Sequence, residues 1–220
     1  MYTFHWGVLL PYMGTFARGL EMTFKVSIIA ELFSLAVGLV AGIAATSKNP
    51  AIFAISRAYI EAFRAIPLLV GLIWIYYGVS IVTGIEFTAF TAGILGLGLN
   101  YGAYLAEVFR AGLQAIPKGQ AESALTLGLT RAQVLTRIVL PQAVRIIIPP
   151  LGNSYVSMLK DCTLVSVLGI TELFRVGQTI VANNFRPFEI YTFIALVYLV
   201  LTIGFSRGLR IVETRIAIKQ

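Results

Sequence analysis

The chain has little that would let it work as a soluble enzyme. Of its 220 residues only 12% are charged, about half the share of an ordinary soluble domain, so it cannot cover a water-facing surface with polar groups. It has one cysteine, Cys162, and one histidine, His5, which excludes an internal disulfide, a cysteine-rich metal site and a histidine-rich zinc site. No G-x-x-x-x-G-K-[ST] phosphate loop and no HExxH pair occurs. With His5 and Cys162 far apart there is no credible nucleophile–base pair for an intramembrane enzyme. A linker rich in Ser, Pro or acidic residues is also missing, so a single domain over 1–220 is expected. The N-terminus lacks the basic, apolar and small-residue succession of a cleaved signal, and it is expected to remain on the mature protein.

What is abundant is apolar sequence: 58% of residues are hydrophobic and the mean hydropathy is +0.85. A bilayer core of about 30 Å takes a helix of about 20 apolar residues. Five segments reach that length, at about 26–46, 62–82, 87–109, within 146–170, and 188–205. The expected fold is therefore all-α and membrane-integral, with about five transmembrane helices. Residues 1–20, broken by Pro11 and Gly14, read as an interfacial helix or a lead-in to the first span.

Twelve of the 17 basic residues fall on one set of loops: Lys48, Arg57, Arg64, Arg110, Lys118, Arg131, Arg137, Arg145, Arg207, Arg210, Arg215 and Lys219. Since positively charged loops tend to stay cytoplasmic, the N-terminus is expected outside and the C-terminus inside. Cations scattered along the flanks of apolar spans also account for the net charge of +7 without nucleic acid, which would require a basic face with interleaved aromatics. Glycines at 93, 96, 98 and 102, and at 38 and 42, allow close helix approach in lipid, within one subunit or between subunits.

Residues 117–141 are too polar to span and carry helix punctuation. Pro117 suits a first helical turn, Gly128 a left-handed stop, and Thr130 with Gln133 a capping box. Pro141 is expected to break the second helix before the next span. Ala121, Ala124, Leu125 and Leu129 offer small and apolar surface for another protein. By physics alone, an amphipathic hairpin resting among lipid headgroups fits equally well.

The residue pattern is more specific. Glu122-Ser123-Ala124, three residues, Gly128, nine residues, Ile138, one residue, then Leu140-Pro141 resembles the EAA loop of ABC importer permeases, with Ser123 replacing the middle alanine. Tyr59-Ile-Glu-Ala-Phe-Arg-Ala-Ile-Pro-Leu-Leu69, Ala103-Tyr-Leu-Ala-Glu-Val-Phe-Arg-Ala-Gly112, Gly119-Gln120, Leu140-Pro-Gln-Ala143, and the stretch from Leu159-Lys-Asp-Cys-Thr to Gly169-Ile-Thr-Glu-Leu173 are similar to the polar amino-acid uptake branch of that family. The resemblance covers about residues 19–210. It implies a permease subunit in a prokaryotic inner membrane whose loop (Ala121, Glu122, Ser123, Ala124, Gly128, Ile138, Leu140, Pro141) docks on a dimeric cytoplasmic ATPase. It also implies a second permease subunit, identical or sister, and an extracytoplasmic solute-binding protein. ATP and Mg would be held by the ATPase, and no cofactor by this chain.

Ionisable residues inside a span are functional candidates. Asp161 is expected to meet the charged group of an amino-acid substrate or to form a structural ion pair, with Lys160 beside it. Asn100, Tyr101 and Tyr104 would supply neutral hydrogen bonds to the same pathway or between helices. Glu61 with Arg64, and Glu107 with Arg110, are spaced for local ion pairs or a cytoplasmic gate. Glu31 has no assigned role, and Cys162 reads as a packing residue. An ion-coupled secondary transporter is the alternative function, but it would call for internal repeats that the sequence does not display. A non-transporting assembly subunit would not need charged residues within its spans.

Overall fold

A computed structural model describes residues 3–216, with side chains through 214. Lys219 and the first two residues lie outside the described part, and so does the side chain of Arg215. The described residues contain helices and no strand.

A 3-10 segment, Trp6–Tyr12, accommodates Pro11 and runs directly into α1 (Met13–Ala44). The residues before the first span are thus a lead-in, and Gly14 does not interrupt them. Asn49 caps α2 (Pro50–Ala65) by accepting the N–H groups of Ala51 and Ile52, with Pro50 in the first turn. Ile66 is extended because it precedes Pro67, so the helix stops there. The chain re-enters helix as α3 (Leu68–Thr83) at 109° to α2, which corrects the expectation of one straight span over 62–82. A left-handed Gly84 ends α3.

Thr88 caps α4 (Ala89–Gln114). The glycine pattern works inside this one chain: a Cβ at Gly42 would meet the Ala106 carbonyl oxygen at 2.7 Å, and one at Gly38 the Leu105 Cβ at 2.7 Å, so α1 and α4 pack backbone to backbone. After α5 (Lys118–Thr126) comes α6 (Arg131–Leu168), in which a π-turn at Leu135–Val139 and a closing 3-10 stretch at Cys162–Leu168 flank Leu140–Asp161. Pro141 therefore does not break the second loop helix. The Leu140 N–H reaches back five residues to Leu135 O, and the π-turn takes up the mismatch while Pro141 starts the next α-helical turn. The loop helix and the fourth span are one continuous element, longer than the span expected within 146–170.

Gly169, left-handed, ends α6. Glu172 caps α7 (Leu173–Asn184), a helix that the sequence reading did not foresee, and α8 (Pro187–Ile216) follows. Among the described residues, three stretches are long and apolar enough to cross a membrane: Trp6–Ala44, Arg131–Leu168 and Pro187–Thr214. The bent α2–α3 pair makes a fourth if counted as one span. The expected count of five is not reached by that criterion. The remaining candidate, α4, has 26 residues and is about 39 Å long.

Among the described residues three apolar clusters hold the bundle, the smallest being Ala41, Ala45, Ile60 and Ala106 where α1, α2 and α4 meet. Val26, Leu72, Leu97, Met158 and Val165 join α1, α3, α4 and α6, with Cys162 fully buried among them as a packing residue. Phe16, Leu173, Val176, Ile190 and Ile194 join the start of α1 to α7 and α8.

Candidate functional site

The break between α2 and α3 opens one wall of a cavity of about 550 Å³. Arg64 and the backbone turn at Ile66–Pro67 line that wall, Asn100, Tyr101 and Tyr104 of α4 the second, and Asn153, Ser154, Ser157 and Asp161 of α6 the third. The volume suits a small solute. The Tyr101 hydroxyl donates to Asp161 Oδ2 at 2.6 Å. The Asn100 amide donates to Phe63 O at 2.8 Å, which holds the end of α2 against α4. The Arg64 guanidinium lies 5.3 Å from the centre of the Tyr104 ring, a cation–π arrangement.

Four of the five residues expected along the substrate pathway thus converge. Lys160 does not: it is exposed and outside the cavity lining, because neighbours on a helix point about 100° apart. Arg64 was expected to pair with Glu61, but Glu61 is taken by Arg57 (2.7 Å), one turn before it, and Arg64 turns into the cavity instead. The pairing of Glu107 with Arg110 is present, and Arg57 also reaches Glu107 at 2.7 Å. Arg57 therefore bridges α2 and α4. Sequence reasoning passed over Arg57 and the three small polar residues of α6. The latter had a readable signal: 150, 153/154, 157 and 161 recur at helical spacing on one face. Glu31 is buried and in contact with the Ser34 hydroxyl on its own helix.

The second feature is the 117–141 loop. The Gly128 N–H donates to Leu125 O (3.0 Å) and the Leu129 N–H to Ala124 O (3.2 Å), with Gly128 at φ +86°, which is a full Schellman closure of α5. Thr130 and Gln133 form the expected reciprocal capping box at the start of α6. Glu122, Ser123, Leu140 and Pro141 are exposed, whereas Ala121 and Ile138 are half-buried. Ala124 is buried and so is not offered to a partner as expected; Leu125, which was expected to be, is exposed, and Leu127, which was not singled out, is more exposed still. The side-chain amide of Gln142 on α6 donates to Gln120 Oε1 on α5 at 2.7 Å, tying the loop to the helix that carries Asp161.

A largely apolar cavity carrying a few polar and charged groups at a broken helix, joined by one long helix to an exposed helical loop, is the arrangement of a transmembrane permease subunit. Residues 34–218 match the family described as binding-protein-dependent transport system inner membrane component, and the chain belongs to that family. It is 39% identical over 208 residues to the probable amino-acid permease protein YxeN of Bacillus subtilis, spanning 94% of this chain and 93% of that one. It is 35% identical over 216 residues to the glutamine transport system permease protein GlnP of Escherichia coli K12, spanning 98% and 99%. Among solved structures, it superposes on a chain of an amino acid ABC transporter crystallised with histidines at a TM-score of 0.92, with 38% identity and coverage of 97% and 100%. The MetNI methionine ABC transporter shares the fold, at a TM-score of 0.77 and 16% identity over 94% of this chain and 99% of that one. The chain is an ABC importer permease rather than an ion-coupled transporter working alone, and ATP hydrolysis belongs to a separate subunit.

Proposed function

We propose that this chain, as one membrane domain over its 220 residues, forms half of a translocation pathway for polar amino acids. The observation that carries the reading is a single cavity presenting a cation, Arg64, and a carboxylate, Asp161, across small neutral groups from Asn100, Tyr104, Asn153, Ser154 and Ser157. That polarity fits an α-carboxylate at one end and an ammonium at the other. Tyr101 orients the Asp161 carboxylate for this contact. The names of the relatives, which specify amino acids and glutamine, support the cargo class.

The loop from Ala121 to Pro141 takes the stroke. With Gln120 bonded to Gln142, displacement of α5 by a cytoplasmic ATPase dimer holding ATP and Mg passes into α6 and so to the cavity wall bearing Asp161. ATP-driven closure would open the cavity outward to solute delivered by an extracytoplasmic solute-binding protein, and hydrolysis would return it inward. A second permease subunit completes the pathway. In this arrangement α4 is the fifth span, the loop lies in the cytoplasm, and the N-terminus is outside.

The test is amino-acid uptake into proteoliposomes holding the assembled transporter. Asp161→Asn should assemble normally and lower uptake about tenfold, since the ammonium loses a charge-assisted bond. Uptake equal to wild type would remove the charge contact and the cargo reading built on it.

A further inference from the structure

Charge is scarce in the cavity, and its balance limits what can enter. Among the described residues Arg64 and Asp161 are the two charged groups on its lining. Both have capacity left. Arg64 makes no hydrogen bond or ion pair to the described residues, since Glu61 is held by Arg57, and its guanidinium only covers the Tyr104 ring. Asp161 accepts from Tyr101 at Oδ2 and keeps Oδ1 open. The carboxylate and ammonium common to all amino acids take one partner each. A charged side chain would then enter the site without a counter-charge, and burying an unpaired charge is costly.

Beside Asp161 the α6 wall carries neutral groups in a row. Ser157 lies one helical turn before Asp161 and Asn153 two turns before it, about 12 Å along the axis, with Ser154 next to Asn153. None of the three side chains bonds to another of the described residues. Hydroxyls within helices readily return to a carbonyl one turn back. Thr23 does so to Gly19 O (3.1 Å), Ser34 to Glu31 O (2.8 Å) and Ser80 to Tyr76 O (3.1 Å). Ser154 and Ser157 do not, and the Asn153 amide keeps both its donors and its acceptor. A hydrogen bond of about 2.9 Å at each end leaves about 6 Å between Asp161 and Asn153, the reach of a short side chain.

We propose that the cavity selects an amino acid whose side chain is uncharged and hydrogen-bonding, a carboxamide above all. Asn153, Ser154 and Ser157 form the side-chain subsite, and Asn153 is the residue that selects. This rests on the amino-acid reading above. Charged side chains are rejected for want of a counter-charge, and apolar ones because they leave the row unpaired. The test is displacement of radiolabelled glutamine from the complete transporter in nanodiscs, without ATP and without a solute-binding protein, so that the permease alone chooses. Glutamate, lysine and norleucine, similar in length, should each need a concentration about tenfold higher than glutamine or more. Asn153 is exposed and unbonded, so Asn153→Asp should keep its Tm. The new carboxylate should move lysine ahead of glutamine. Equal displacement by all four, or an order that Asn153→Asp leaves unmoved, overturns the selectivity and leaves the amino-acid reading intact. Should that variant lose Tm, Ser157→Ala reads the same subsite: the advantage of glutamine over norleucine should shrink severalfold, and an undiminished advantage overturns the proposal. A wild-type complex that binds none of the four would remove the amino-acid reading and the selectivity together.

Discussion

Arg57 uses both arms of its guanidinium, one to Glu61 on its own helix and one to Glu107 on α4, each at 2.7 Å. Glu107 in turn holds Arg110, so one carboxylate keeps two cations together where α2 meets α4. The two acids differ in setting: the side chain of Glu107 is 19% exposed and that of Glu61 65% exposed. Glu107→Gln should lower stability by about 1–2 kcal/mol, because two charge-assisted bonds weaken and two guanidinium groups then face each other. Glu61→Gln removes an exposed pair of the kind worth about 0–1 kcal/mol and should shift Tm far less. Thermal unfolding of the two variants in detergent separates these outcomes; equal shifts would mean that the network acts as a surface feature only. The consequence for transport is positional. α2 leads into the cavity wall at Arg64, so loosening its tie to α4 also loosens a wall of the proposed substrate site.

At the scale of elements, the loop helix is bound to its span by two devices, the Schellman turn at Gly128 and the π-turn at Leu135–Val139. A Cβ at Gly128 would meet nothing within 4 Å, so a substitution there acts through conformation alone. Gly128→Val places a β-branched residue at φ +86°, where such residues are genuine outliers. The spans should remain folded while α5 loses its fixed direction. Co-purification of the ATPase subunit, robust for wild type in mild detergent, should then be lost; retention would separate the loop from ATPase docking. The devices also mark where sequence reading succeeds. Gly128, Thr130 and Gln133 are local chemistry, each needing only its near neighbours, and all three were legible. Pro141 was read by the same local rule and misread, because a π-turn upstream absorbed its missing N–H. The bend of α2 against α3 hid inside a run apolar enough to pass as one span, although Pro67 announced it. Asp161, Asn100, Tyr101 and Tyr104 could be singled out by polarity in apolar surroundings, whereas the turn of Arg64 into the cavity depends on Arg57 having taken Glu61, a competition that spacing alone does not decide.

For the whole molecule the deciding relation is between its two ends. α6 begins at the loop and finishes beside α7, and α8 returns in the other direction. Arg57, Arg110, Arg131 and Arg137 lie toward the loop end and Arg18, Arg175 and Arg186 toward the α7 end, and the orientation proposed above rests on the excess of lysine and arginine in the loops of the first of these ends. This orientation underlies the proposed function, since an ATPase can meet Leu127 only from the cytoplasm and a solute-binding protein can deliver solute only from outside. It is checked directly by single cysteines. Cys162 is fully buried and can be replaced by alanine to give a thiol-free background. In that background Asn183→Cys should react with a membrane-impermeant maleimide in intact cells, because residue 183 is exposed on the α7 side. Leu127→Cys, on a residue 81% exposed beyond α5, should react only after the membrane is permeabilised. The reverse pattern would turn the molecule over, carrying the docking loop away from any cytoplasmic ATPase. Reaction of both from outside would deny that α6 crosses the membrane between them, and the transmission of a stroke from loop to cavity would lose its path.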